Sequence, residues 1–176
     1  MEQIKQLEKT IEGWLKPLPH LPAEWRKWLG ENAWWITGIG VILSALGLLG
    51  IIGLLLTAMS FVGVATSIYG VAVTTVYTST WYVATFVSLA FLVVTTVLSA
   101  MAVNPLRAMK KKGWDLLFMV FLINVASGVL GVVININAVA MTTNLIGVAI
   151  GAAISAYVIF ELKSQYNGAT VVHKAK

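Results

Sequence analysis

The chain contains no cysteine, so neither a disulfide nor thiol chemistry is available to it. Charge is almost as scarce. Asp, Glu, Lys and Arg make up 11 % of the 176 residues, against the about 25 % that coats an ordinary soluble domain. The stretches 32–106 and 116–160 carry no charged residue at all. A membrane-spanning helix needs about 20 apolar residues, so each stretch has room for at least two. With 59 % hydrophobic residues and a mean hydropathy of +0.86, the soluble classes are excluded.

Other absences narrow the chemistry. His20 and His173 are the only histidines, and both lie outside the apolar stretches. Proton-coupled transport, an intramembrane metal centre or haem ligation needs ionisable or ligating groups within the spans. Serine is plentiful but has no base beside it, so nucleophilic catalysis lacks its second member. No glycine-rich phosphate loop with a following lysine occurs. The expectation is a protein that is not an enzyme and holds no cofactor or metal. The net charge of +5 and pI near 9.6 do not point to nucleic acid, because the basic residues flank apolar runs instead of forming a stripe.

Residues 2–16 place Ile4, Leu7, Ile11, Trp14 and Leu15 at helical spacing among Lys5, Glu8, Lys9, Glu12 and Lys16, the pattern of an amphipathic helix. Pro17, Pro19 and Pro22 break it, and a second short helix is expected from Pro22. Five of the seven tryptophans fall between 14 and 35. Indole favours the headgroup zone, so residues 1–32 read as a cytoplasmic arm lying on the membrane surface. The late start of the first apolar run is unlike a removable signal peptide.

The predicted architecture is all-α: a polytopic membrane helical bundle of four spans behind an N-terminal amphipathic interfacial helix. The spans are expected at 33–59, 81–103, 114–134 and 138–162, within a bundle covering 33–162, and 163–176 forms a cytoplasmic tail. Segment 60–80 is uncharged and rich in threonine and β-branched residues, and periodicity alone does not decide its structure. An extracytoplasmic helix, a re-entrant piece and a fifth span all remain open. Four spans put the five basic residues of the arm, the four of the 107–112 turn and the three of the tail on one side. That asymmetry favours four spans over five and puts both termini in the cytoplasm. Arg107, Lys110, Lys111 and Lys112 then anchor the topology and contact anionic lipid, with Trp25, Trp28, Trp34, Trp35, Trp81 and Trp114 at headgroup level.

Small residues recur at Thr143, Gly147, Gly151 and Ser155, and at Ser127 and Gly131 in the preceding span. Such spacing makes a helix-packing groove. The groove serves either an internal hairpin, which the short turn at 135–137 favours, or an oligomer interface. Asn124 falls near the middle of its span, where a buried amide demands a partner. Thr95 and Thr96 stand at its expected depth, and Ser155 is the other candidate. Glycines at 38, 40, 47, 50 and 53 give the first span a surface open to close packing as well.

The run from Pro105 through Lys110-Lys111-Lys112-Gly113-Trp114 to Leu116-Leu117-Phe118 resembles a basic turn in small uncharacterised bacterial multi-pass membrane proteins. The Pro- and Trp-bearing entry from Leu18 to Trp35 is similar too. The resemblance implies a bacterial cytoplasmic membrane and no particular activity. The functional expectation is a non-catalytic structural or accessory protein, a homo-oligomer or a subunit of a larger membrane complex, with lipids as its other partner. Two alternatives stand beside it. One is a small oligomeric channel or facilitator for an uncharged solute, lined by Thr85, Ser88, Thr95, Ser99 and Asn124. The other is sensing of lipid or membrane shape through the arm.

Overall fold

The computed structural model describes residues 2–69, 71–134 and 138–166, except for the side chains of 65, 69, 71–81, 134 and 138–143. Five α-helices make up the described residues: α1 (Glu2–Leu15), α2 (Ala23–Tyr69), α3 (Val71–Arg107), α4 (Lys111–Ile134) and α5 (Ala138–Tyr166). The last four are each long and apolar enough to cross a membrane. The protein is a helical membrane bundle, α2 packing on α3, α3 on α4 and α4 on α5, with α2 also touching α5 and α1 resting on α5.

Helix boundaries differ from the sequence expectation at three places. The first is the arm. Pro22 does start a helix, its carbonyl accepting from the Arg26 amide, but that helix is α2 itself and runs through position 33 without a break. An arm separated from the first span therefore ends near residue 22, not 32. Nothing from Ala23 onward breaks a helix, and Asn32 bonds the Trp28 carbonyl one turn back.

The second is segment 60–80, which forms no separate element: α2 continues through Tyr69 and α3 starts at Val71. The hydroxyls at its described start close onto their own helix, as does that of Thr57 just before it, while the side chains of Thr74, Thr75, Thr78 and Thr80 lie outside the described residues. Thr57, Ser60 and Thr66 donate to the carbonyls of Gly53, Leu56 and Val62 at 2.8 to 3.1 Å, and Ser67 donates to Val64 at 2.7 Å. Such back-bonding lets hydroxyl side chains sit in an apolar helix with their donors satisfied.

The third is Pro105, expected to stop its span and instead lying inside the last turn of α3. The Lys110 amide bonds back to the Pro105 carbonyl and the Met109 amide to that of Leu106, the paired closure of a Schellman motif. Met109 takes the left-handed position with φ of 50°, a place usually held by glycine. The turn that follows is tight. A Cβ on Gly113 would stand 2.7 Å from the Leu106 backbone nitrogen, so only glycine lets α4 start this close to the end of α3.

The core gathers at the end of the bundle next to this turn. Ala33, Ala102, Leu106, Trp114, Phe118, Phe121, Ala156, Leu162 and Tyr166 form one cluster drawn from four helices, with Ile4, Ile11 and Leu15 of α1 against it. Away from that end the helices are thinly covered. Ile42, Leu43, Leu46, Leu49, Leu54 and Leu56 on α2 are exposed, as a surface bathed in lipid chains allows.

Candidate functional site

Two places bring polar chemistry together: a collar where α1 meets the end of α5, and a groove between α4 and α5 at mid-length.

The collar is built around Glu161, only 7 % exposed although it follows a long uncharged run. Its Oε1 lies 2.7 Å from His20 Nδ1, and its Oε2 accepts from the Leu21 amide at 3.3 Å and faces Arg26 Nε at 3.7 Å. One turn away Tyr157 donates to the Pro19 carbonyl at 2.6 Å, and buried Tyr166 donates to that of Gly30 at 2.7 Å. Lys163 reaches the other way, 2.9 Å from Glu8 and 2.6 Å from Glu12 on α1, while resting over the Trp114 and Phe160 rings. Each carboxylate in the set meets a cation. After a turn closed by the Leu18 amide on the Leu15 carbonyl, residues 19–22 run without a helix past α5, which is how residues far apart in sequence come to share the collar. A cavity of about 240 Å³ lies beneath it, lined by Glu12, Leu15, Lys16, His20, Tyr157, Phe160 and Glu161. No group of three or more His, Asp or Glu able to hold a metal occurs among the described residues.

The arm thus meets the protein as well as solvent. Ile4, Ile11 and Leu15 pack on the core cluster, whereas Leu7 and Trp14 turn outward, Trp14 being 72 % exposed. The sequence expectation missed Glu161 as a hub. Its available signal was a carboxylate inside the expected last span.

The headgroup and topology residues divide. Trp25, Trp28 and Trp35 are exposed, and Trp35 donates to Asn32 at 2.6 Å. Lys110, Lys111 and Lys112 are exposed, and the Arg107 guanidinium lies 5.4 Å from the ring centre of half-buried Trp34. Trp114 corrects the expectation: it is 1 % exposed and belongs to the core. Its indole donates to the Ile159 carbonyl at 2.7 Å, and its ring stacks on Phe118 and meets the edge of Phe160. A tryptophan given both an internal acceptor and aromatic neighbours has no need of the headgroup layer. The side chain of Trp81 lies outside the described residues.

Of the two uses open to the packing stripe, the internal hairpin does not take it up. Gly147, Gly151 and Ser155 are exposed, and a Cβ on Gly131, Gly147 or Gly151 would meet nothing within 4 Å. Ser127 is half-buried, and the side chain of Thr143 lies outside the described residues. The close approach of α4 to α5 occurs at Gly128, where a Cβ would stand 2.9 Å from Val148. The expected depth is right to about one residue, since folding at 137 pairs 127 with 147. Within the hairpin α4 turns the next residue, Gly128, toward α5.

Asn124 moves with that rotation. Expected to be buried, it is exposed on the rim of the α4–α5 groove, a cavity of about 320 Å³ that Gly151 and Ser155 also line. Of its expected partners Ser155 lines the same groove, whereas Thr95 and Thr96 bond their own helix. Thr95, 7 % exposed, donates to the Phe91 and Leu92 carbonyls, and Thr96 donates to Leu92. Of the residues expected to line a channel, Thr95 is buried, Thr85 and Ser99 are half-buried, and Ser88 and Asn124 are exposed, so they are divided between interior and surface.

Comparison with known proteins finds no matching family model, no similar curated protein and no similar solved structure.

Proposed function

We propose that this protein is a non-catalytic component of a bacterial cytoplasmic membrane that assembles with copies of itself, with both termini on the cytoplasmic face. One observation carries the reading: α2 has five glycines, Gly38, Gly40, Gly47, Gly50 and Gly53, at which a Cβ would meet nothing within 4 Å, so its packing on α3 and α5 does not call for them. Each interior glycine weakens a helix, and in lipid its return is close approach by another backbone. Among the described residues no helix makes that approach. The ionisable groups that cluster at the collar favour a structural role, since Lys163 ties α1 to α5 and Glu161 ties the linker and the start of α2 to it.

The test is crosslinking in native membranes, followed by mass measurement of the protein in lipid nanodiscs. Discrete oligomers are expected. A product that stays monomeric as the protein-to-lipid ratio rises counts against the proposal.

Lipid sensing through the arm has an observation of its own, the outward row of Leu7, Trp14 and Leu18 beside exposed Trp25 and Trp28. Such a row suits insertion at the acyl boundary. Trp14→Ala would then alter how the protein distributes between membranes of different curvature, and an unchanged distribution removes this reading.

A further inference from the structure

We infer that the α4–α5 groove is where a second copy of this chain docks, and that Asn124 makes the polar contact at its centre. The inference rests on the self-association proposed above and adds a second contact surface to the glycines of α2.

Asn124 stands near the middle of α4, a candidate membrane span. Its side chain is exposed, and among the described residues nothing bonds its amide. Ser155, across the groove on α5, is also exposed and also lacks a bond among the described residues. Hydrocarbon offers neither group a donor or an acceptor, so a polar amide at this depth requires a partner. Within the chain Thr95 and Thr96 close onto their own helix, and the single hydroxyl of Ser155 can answer only part of a carboxamide that carries two donors and an acceptor.

The chemistry of the site selects the occupant. Leu117, Phe121 and Ile159 make the rest of the groove apolar, which suits a lipid tail or a helix equally. A lipid tail leaves the amide unsatisfied. A carboxamide both donates and accepts, so across a two-fold axis Asn124 of one copy satisfies Asn124 of the other. Self-pairing needs the helices close, and the rim permits it, because neither Gly147 nor Gly151 has anything within 4 Å of its Cβ position. An identical chain therefore answers the polar group and the groove together.

The full-length protein in nanodiscs supplies the test, with Asn124→Leu, Asn124→Gln and a single cysteine at Val120→Cys in the cysteine-free chain. Leucine suits a lipid-facing position and removes no internal bond, so the monomer's melting temperature should hold. Self-association should weaken roughly tenfold, Asn124→Gln should restore most of it, and Val120→Cys should give an oxidatively crosslinked dimer. Wild-type oligomers that Asn124→Leu leaves intact, with no Val120→Cys dimer, would overturn this inference and leave self-association standing. A wild-type monomer would overturn both. Loss of a different polypeptide on Asn124→Leu, or a lower melting temperature of the monomer, would likewise assign the amide to another partner.

Discussion

A single hydrogen atom decides how the two middle helices meet. At position 113 any side chain would drive a Cβ to within 2.7 Å of the Leu106 nitrogen and 3.0 Å of its Cα, and backbone cannot step aside as a flexible side chain does. Gly113→Ala should therefore lower stability by about 1–3 kcal/mol, the usual cost of overpacking. Gly13 on α1 is the control, because nothing lies within 4 Å of its Cβ position. Gly13→Ala should be neutral or stabilising by about 0.5–1 kcal/mol. Thermal unfolding of the two variants in one detergent reads the difference, and equal melting temperatures would refute the close-approach argument. Side-chain identity was legible at this scale and side-chain direction was not. Trp114 has the composition of a headgroup residue, yet its ring lies in the core, because α4 starts so close to α3 that its first turn faces inward. That start depends on the left-handed Met109, which no periodicity announces.

Among the elements, hydropathy alone marked four helices, since an uncharged run long enough to span has few alternatives in lipid. Helix ends were less legible. Hydroxyl-rich and β-branched residues at 60–80 look ambiguous in sequence, and the back-bonds by which Ser60, Thr66 and Ser67 sit satisfied within α2 are not announced by periodicity. Least visible was the docking of α1, which joins residues more than a hundred positions apart. The amphipathic pattern says that Ile4, Ile11 and Leu15 seek an apolar surface, and is silent on whether that surface is lipid or protein. If the collar holds the arm, Glu161→Ala leaves Arg26, His20 and the Leu21 amide without their shared acceptor. Hydrogen bonds to charged groups contribute about 1.5–3 kcal/mol, and exposed His20 places this set at the low end. Amide hydrogen exchange in α1 should then accelerate roughly tenfold, with α4 unchanged. Exchange in α1 that does not respond would show that apolar packing and the Lys163 ion pairs keep it in place without Glu161.

For the molecule as a whole, the unequal lengths of the helices carry a consequence. α3 has 37 residues and α4 has 24, and a short turn joins them. Counted from that shared end, α3 outreaches α4 by roughly 20 Å at 1.5 Å per residue. α2 is longer still, with 47 residues. From Ala33, where its uncharged run begins, Ser67 lies roughly 50 Å further along the helix. Keeping that length within a hydrocarbon core of about 30 Å would take a tilt of roughly 50°, against an average of about 20°. The α2–α3 pair is therefore expected to emerge on the side away from the lysine turn. Single cysteines test this cleanly because the natural chain has none. On the proposed topology, Ser67→Cys should react with a membrane-impermeant maleimide added to intact cells, and Lys111→Cys only after the membrane is opened. Leu46→Cys, roughly 20 Å into the span, should stay unlabelled in both. Protection of Ser67→Cys under both conditions would mean that the membrane thickens or the helix tilts to contain it. Reaction of Lys111→Cys from outside would invert the whole arrangement, basic turn and collar included.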